Sequence, residues 1–287
     1  MRFMLLFSAL LLSSVSSAAW ADVDPALVAA AKTDIKTAPS WAIIDSVKVS
    51  AAANGDADAQ SAVGSFYSNT EREAIAIKWF RLAADQGNAE SQFKLAMAYD
   101  QGRGISANKI EAIRLYKLAV AQGYSDAQLI FASKYAQGKD VEQDFAQAAK
   151  LYQLAADQGD VFAINELGKM YATGQGVAKS TDQAIQLYKL AAQHDFHPSQ
   201  IALAILYDEK HSNGDVSADY LLKAYAWLRL AISTEPGNEN ESDKMFAEIT
   251  ARMTATQLSA GQAMVAHCFP DPENKVYQFG CTQDQPF

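Results

Sequence analysis

A segment repeated every 36 residues constrains this chain more than any other feature. Leu82-Ala83-Ala84-Asp85-Gln86-Gly87 recurs as Leu118 to Gly123, as Leu154 to Gly159 and, more loosely, as Leu190 to Asp195. Tyr99, Tyr135, Tyr171 and Tyr207 keep the same step, as do Gly102, Gly138 and Gly174. An upstream copy at 55–60 matches 87–92 at an offset of 32, with four residues fewer in the loop around Ser68 to Thr70. Downstream, 227–231 echoes 79–83 after an insertion around Glu209 to Asp219. A fixed period of this length marks a stack of supersecondary units, each unable to bury its own apolar face alone.

Within one unit the elements are helices. Ser91, Leu95, Ala96 and Tyr99 fall at helical spacing and form the buried stripe of a first helix, helix A. Gly102-Arg-Gly104 ends it, because glycine adopts positive φ cheaply. A second helix, helix B, starts at Asn108, with Glu111 placed to complete a capping box. Asp144 with Gln147 and Ser180 with Gln183 repeat the device. Ala112, Leu115, Tyr116 and Ala119 form the buried stripe of helix B, and Gly123 turns the chain into the next unit. Small residues at Ala96, Ala132, Gly168 and Ala204 let neighbouring helices approach closely. The expected fold is all-α, a right-handed α-solenoid of stacked antiparallel helical hairpins. About five hairpins occupy residues 57–236. A helical cap spans 22–56, with a half-unit helix around Trp41 to Asn54. A C-terminal capping helix, patterned from about Glu241 to Ala266, and a cysteine-containing tail fill 237–287.

These residues resemble the Sel-1-like repeat, a relative of the tetratricopeptide repeat. The fullest copy runs Ala163, Leu167-Gly168, Tyr171, Gly174-Gln-Gly176-Val177, Ala184 and Tyr188, closing with Ala191-Ala192. Asp140 departs from the pattern at the second loop glycine, Asp195 at the terminal glycine, and 211–215 at the last loop. The resemblance implies an adaptor, here an exported bacterial member that holds a partner protein: a sensor ectodomain, an envelope enzyme or a toxin to be neutralised.

Residues 1–21 are read as a secretory signal peptide: Arg2 as the positive start, Phe3 to Leu12 as the apolar run, and Ala19-Trp20-Ala21 before a cut at Asp22. The apolar run is about ten residues, and a membrane span needs about 20. A periplasmic location and no stable membrane insertion are therefore expected. Removing Arg2 leaves 23 basic against 33 acidic residues, a net charge of −10, which disfavours nucleic acid as a partner. Cys268 and Cys281 are expected to pair as a disulfide in an oxidising compartment, stapling the tail.

No catalytic residue, metal or cofactor is assigned. His194-x-x-His197 lacks further ligands, and zinc needs three or four. Ser106-x-x-Lys109 matches a motif of penicillin-recognising enzymes, but its Ser-Asp-Asn and Lys-Thr-Gly companions are missing. An envelope hydrolase acting on cell-wall or β-lactam material, or an immunity-type protein neutralising a toxin, is the alternative reading. Lys78, Arg81, Arg114, Lys117, Lys150 and Lys189 read as a solvated outer face. The remaining signal lies on helix A. Positions 94, 97 and 98 of the first full unit, with their repeats, fall away from the anchor stripe at 100° per residue. They hold Lys94, Met97, Ile130, Lys134, Glu166, Lys169 and Met170. These seven are the candidate partner-binding residues, unless Val23 to Pro39 folds over them.

Overall fold

Side-chain caps set where the helices begin. In the computed structural model, which describes residues 23–37, 45–70, 72–213, 219–234 and 242–268, Asp56, Asn88 and Asp160 each accept the N–H three residues on, at 2.7–2.8 Å. These caps start α3 (Ala57–Asn69), α5 (Ala89–Gln101) and α9 (Val161–Thr173). The helix B partners are α4 (Glu73–Asp85), α6 (Lys109–Ala121) and α10 (Thr181–Ala192). The third hairpin is α7 (Ser125–Gln137) with α8 (Phe145–Ala156), and the fifth is α11 (His197–Ser212) with α12 (Asp219–Thr234). Loss of one such cap costs about 1 kcal/mol.

The expected capping boxes form only by half. Asn108 Oδ1, Asp144 Oδ1 and Ser180 Oγ accept from Glu111, Gln147 and Gln183 N–H. The cap residues' own N–H groups are already taken, donating to Tyr99, Tyr135 and Tyr171 carbonyls at 2.8–3.0 Å. Glu111 therefore does not reach back; its carboxylate accepts from Arg114 at 2.6 and 2.9 Å.

The chain divides into two compact units, residues 1–127 and 128–287. In the first, α3 to α6 pack in chain order, with Tyr67, Trp79, Ala96 and Tyr116 at most 1% exposed. An N-terminal cap of two helices precedes them, α1 (Pro25–Thr37) and α2 (Ser46–Ala53). Leu27 and Ala31 bury α1, and Asp34 accepts from Tyr67 Oη at 2.9 Å and pairs with Arg72 at 2.5 Å. The Arg72 guanidinium holds the Asp34 carboxyl below the usual carboxylate range. In the second unit, α8 to α12 pack in order around Leu167, Leu203, Leu221 and Leu228.

The C-terminal pattern forms two helices, not the single capping helix expected: α13 (Ser242–Ala251) and α14 (Ala255–Cys268). The break is a closed capping box that the sequence analysis missed. Thr254 N–H donates to Gln257 Oε1 at 2.9 Å, and Gln257 N–H to Thr254 Oγ1 at 3.2 Å. The signal segment, Trp41 to Ile44, and Cys281 with its expected bond to Cys268 lie outside the described residues. Among the described residues every element is helical, and no helix is long and apolar enough to cross a membrane.

The departures from the repeat keep the loop shape. Asp140 and Asp195 hold positive φ, 65° and 58°, where the other copies use glycine. Asp140 is tied down by Lys134, whose Nζ lies 2.8 Å from its carboxylate.

Buried glutamines join the hairpins. Gln60 and Gln92 donate to the carbonyls of Ala52 and Ala84 in the preceding helix, at 3.1 and 3.3 Å. Their Oε1 atoms accept from Gln86 and Gln122, just past their own hairpin's helix B, and Gln128 accepts from Gln158 likewise. In the next repeat both members are replaced together, by Ile164 and His194. In the fifth hairpin Gln200 returns at 0% exposure, and neither amide atom has a hydrogen-bond partner. An unsatisfied buried polar group costs about 1–3 kcal/mol. Gln200→Ile, which installs the residue the preceding repeat already uses, is therefore expected to stabilise the fold by about 1–2 kcal/mol in urea unfolding. An unchanged or lower midpoint would show that the amide is satisfied in solution.

Candidate functional site

Three of the four anchor columns of helix A are closed: Ser91, Leu95 and Ala96 are 0–3% exposed, and Ala163, Leu167 and Gly168 are buried. Tyr99, also expected in the buried stripe, is only half-buried, as are Tyr135 and Tyr171. Close packing explains the small residues. A Cβ on Gly168 would sit 2.9 Å from the Tyr188 ring, so the ring lies against the helix backbone itself.

Five of the seven candidate residues reach solvent. In the first unit Lys94 and Met97 are half-buried, with the Lys94 ammonium 6.0 Å from the Phe93 ring centroid. In the second unit Ile130 and Glu166 are half-buried and Lys169 is exposed. Ile205, which continues the Met97 and Lys169 column, is 37% exposed.

The other two depart from expectation. Lys134 and Met170 are each 5% exposed, as buried as Ala98, Phe66 and Leu206 in the same column. The reason is angular. This column lies about 85° from the centre of the anchor stripe, on its flank and not opposite it, counting 100° per residue. A side chain there meets the neighbouring helix. Lys134 reaches Asp140 instead of solvent. Sequence reasoning could have found this, since the column reads Phe66, Ala98, Lys134, Met170, Leu206, apolar in four of five copies.

Glu166 is the electrostatic centre of the second unit's helix A face. Its carboxylate accepts from Asn165 Nδ2 at 3.1 Å, and Asn165 Oδ1 accepts from Ser199 Oγ at 2.8 Å. Burial first, then the Glu166 charge, pushes the Tyr152 hydroxyl up to about 12, and Tyr188 rises for the same two reasons. Both phenols are therefore neutral hydrogen-bonding groups at physiological pH. The packing of α1 against α2, Tyr67 and Arg72 lies one hairpin ahead of Lys94 and Met97.

The motifs set aside in the sequence sit in ordinary structural roles. His197 Nε2 hydrogen-bonds the Ala231 carbonyl at 2.9 Å, and His194 is exposed. Lys109 donates to the Asp100 carbonyl and carboxylate at 2.8 and 2.5 Å, and Ser106 is exposed. Among the described residues no group of three or more His, Cys, Asp or Glu could hold a metal. Lys78, Arg81, Arg114, Lys117 and Lys150 are exposed on helix B and Lys189 is half-buried. Sequence reasoning overlooked two apolar features. Leu118, Leu154 and Leu190 recur on helix B at 39–43% exposure, and Phe162, 61% exposed, packs edge-on to Phe196.

A family model described as the Sel1 repeat matches residues 57–88, 89–124, 125–160, 161–196 and 197–233. Among solved structures the chain is similar to a protective antigen present in uropathogenic Escherichia coli strains that displays an SLR fold. The identity is 25% and the TM-score 0.65, over 80% of this chain; the chain spans about half, 49%, of that protein's length. It is also similar to a Sel1 repeat protein from Oxalobacter formigenes, at 24% identity and a TM-score of 0.58, covering 84% of this chain and 97% of that one. A comparison with curated proteins gives no match.

Proposed function

This chain belongs to the Sel1 repeat family, whose arrays are generally protein–protein interaction scaffolds, and we propose that it is an exported, periplasmic member that binds a partner protein through helix A. One observation carries the reading. The columns at Lys94 and Met97, repeated as Ile130, Glu166 and Lys169, stay open to solvent, while the anchor columns of Ser91, Leu95 and Ala96 are closed almost completely. Stacking uses the anchors and leaves the open columns free. Apolar, flexible Met97 one turn from Lys94 suits an adaptable protein contact. The leader pattern at 1–21 supports export, and the acidic balance of the chain argues against nucleic acid.

The test is recovery of the protein from the envelope fraction together with its partner. The mature chain is expected to begin at Asp22. Met97→Ser with Lys169→Glu should weaken partner capture, most visibly in on-rate at low salt, with the melting temperature little changed. A chain still beginning at Met1 would end the export reading. Full-strength capture by the folded double variant would move the site off helix A.

A further inference from the structure

The junction between the fourth and fifth hairpins abandons several repeat devices together. Ile164 and His194 replace the glutamine pair, and Asp195 takes a glycine's positive φ. Phe196 stands where Asp56, Asn88 and Asp160 cap helix A, and makes no cap hydrogen bond. Phe162 stands where the first three repeats carry Asp58, Glu90 and Asp126. Tyr124, at the Phe196 position of the third repeat, lays its ring on Phe93, which is 4% exposed. Phe196 instead meets Phe162, with ring centroids 5.0 Å apart and planes at 77°. Phe162 is the one strongly exposed aromatic side chain among the described residues. Phe196 gives up a helix cap and Phe162 gives up a first-turn acid, and the two rings together form one apolar surface. Local rules broken together in this way mark function.

The surroundings fix the chemistry of the partner. Residues 151–168 and 190–209 contain no Lys or Arg; along the chain Asp157 and Asp160 precede Phe162, and Asp195 precedes Phe196. At 61% exposure most of the Phe162 ring, whose faces carry negative quadrupole density, is open to solvent. An exposed aromatic ring on a stretch of chain with acids and no Lys or Arg attracts a cation both through the ring and through the field.

We propose that the Phe162–Phe196 pair is a docking site for a lysine or arginine side chain on a basic segment of a partner protein. This rests on the reading of the array as a protein-binding module and adds the chemistry of one contact, within the second unit. The probe is a fluorescein-labelled peptide of five Arg-Gly pairs, titrated at physiological salt against the full chain. Phe162→Asp installs the side-chain type that other repeats carry there, so folding is preserved, and it adds a negative charge. Binding is nevertheless expected to weaken about fivefold or more, while Phe162→Tyr binds within about twofold of the wild type. Equal or tighter binding by Phe162→Asp would show attraction by net charge alone and overturn the site. So would a wild-type chain that does not bind the peptide. Either failure leaves the Met97 and Lys169 reading standing, because Met97→Ser with Lys169→Glu is measured on partner capture and not on this peptide.

Discussion

Gly176→Ala is expected to destabilise the second unit by about 2–5 kcal/mol, whereas Gly159→Ala costs only about 1–2 kcal/mol. Both glycines hold positive φ, 72° and 87°, so both substitutions meet the same left-handed backbone penalty. Asp140 and Asp195 show that a residue with a side chain can occupy that conformation in this fold. The difference is contact. A Cβ on Gly159 meets nothing within 4 Å. One on Gly176 overlaps the Phe145 carbonyl carbon and oxygen and lies 2.9 Å from Ala146 N, because this loop sits directly on the start of α8. Backbone atoms cannot rotate aside as a flexible side chain would. Urea unfolding of the two variants measures the gap. Equal losses would show that the loop moves off α8 at little cost.

Leu167→Ala should cost about 2–5 kcal/mol through the cavity it leaves, since Leu167 is 1% exposed in an anchor column. Met97→Ser removes a half-buried side chain from the open column and should cost under about 1 kcal/mol. Melting curves on the two variants therefore separate folding from surface. A Met97 variant that melts as early as the Leu167 variant would mean that the open column is covered in solution.

Much of this architecture could be read from the sequence, for a physical reason. A repeat prints each packing requirement several times, so the buried stripe at Leu95 and Ala96 and the caps at Asn108, Asp144 and Ser180 were legible without coordinates. Competition for a hydrogen bond was less legible. Nothing local to Asn108 says that the Tyr99 carbonyl, nine residues back, takes the N–H that Glu111 was placed to receive. The flank of helix A was misjudged at Lys134 and Met170, where a coarse division into two faces hid an intermediate angle. Thr254 and Gln257 carried a readable helix start that the apolar pattern running through them obscured. Phe162 was visible only as a break in a column of acids; its exposure and its contact with Phe196 needed three dimensions.

The glutamine links make hairpins interchangeable parts. Gln60 and Gln92 meet the preceding helix through a backbone carbonyl, which any residue supplies, and are answered by a glutamine carried within their own hairpin. A hairpin copied in tandem thus brings its own half of the joint and finds the other half already in place. An array joined this way can gain or lose a whole unit without redesign of its neighbours. Ile164 with His194, and then the unanswered Gln200, end that freedom. The first three hairpins thus share one kind of joint, and the last two are set apart by the loss of it.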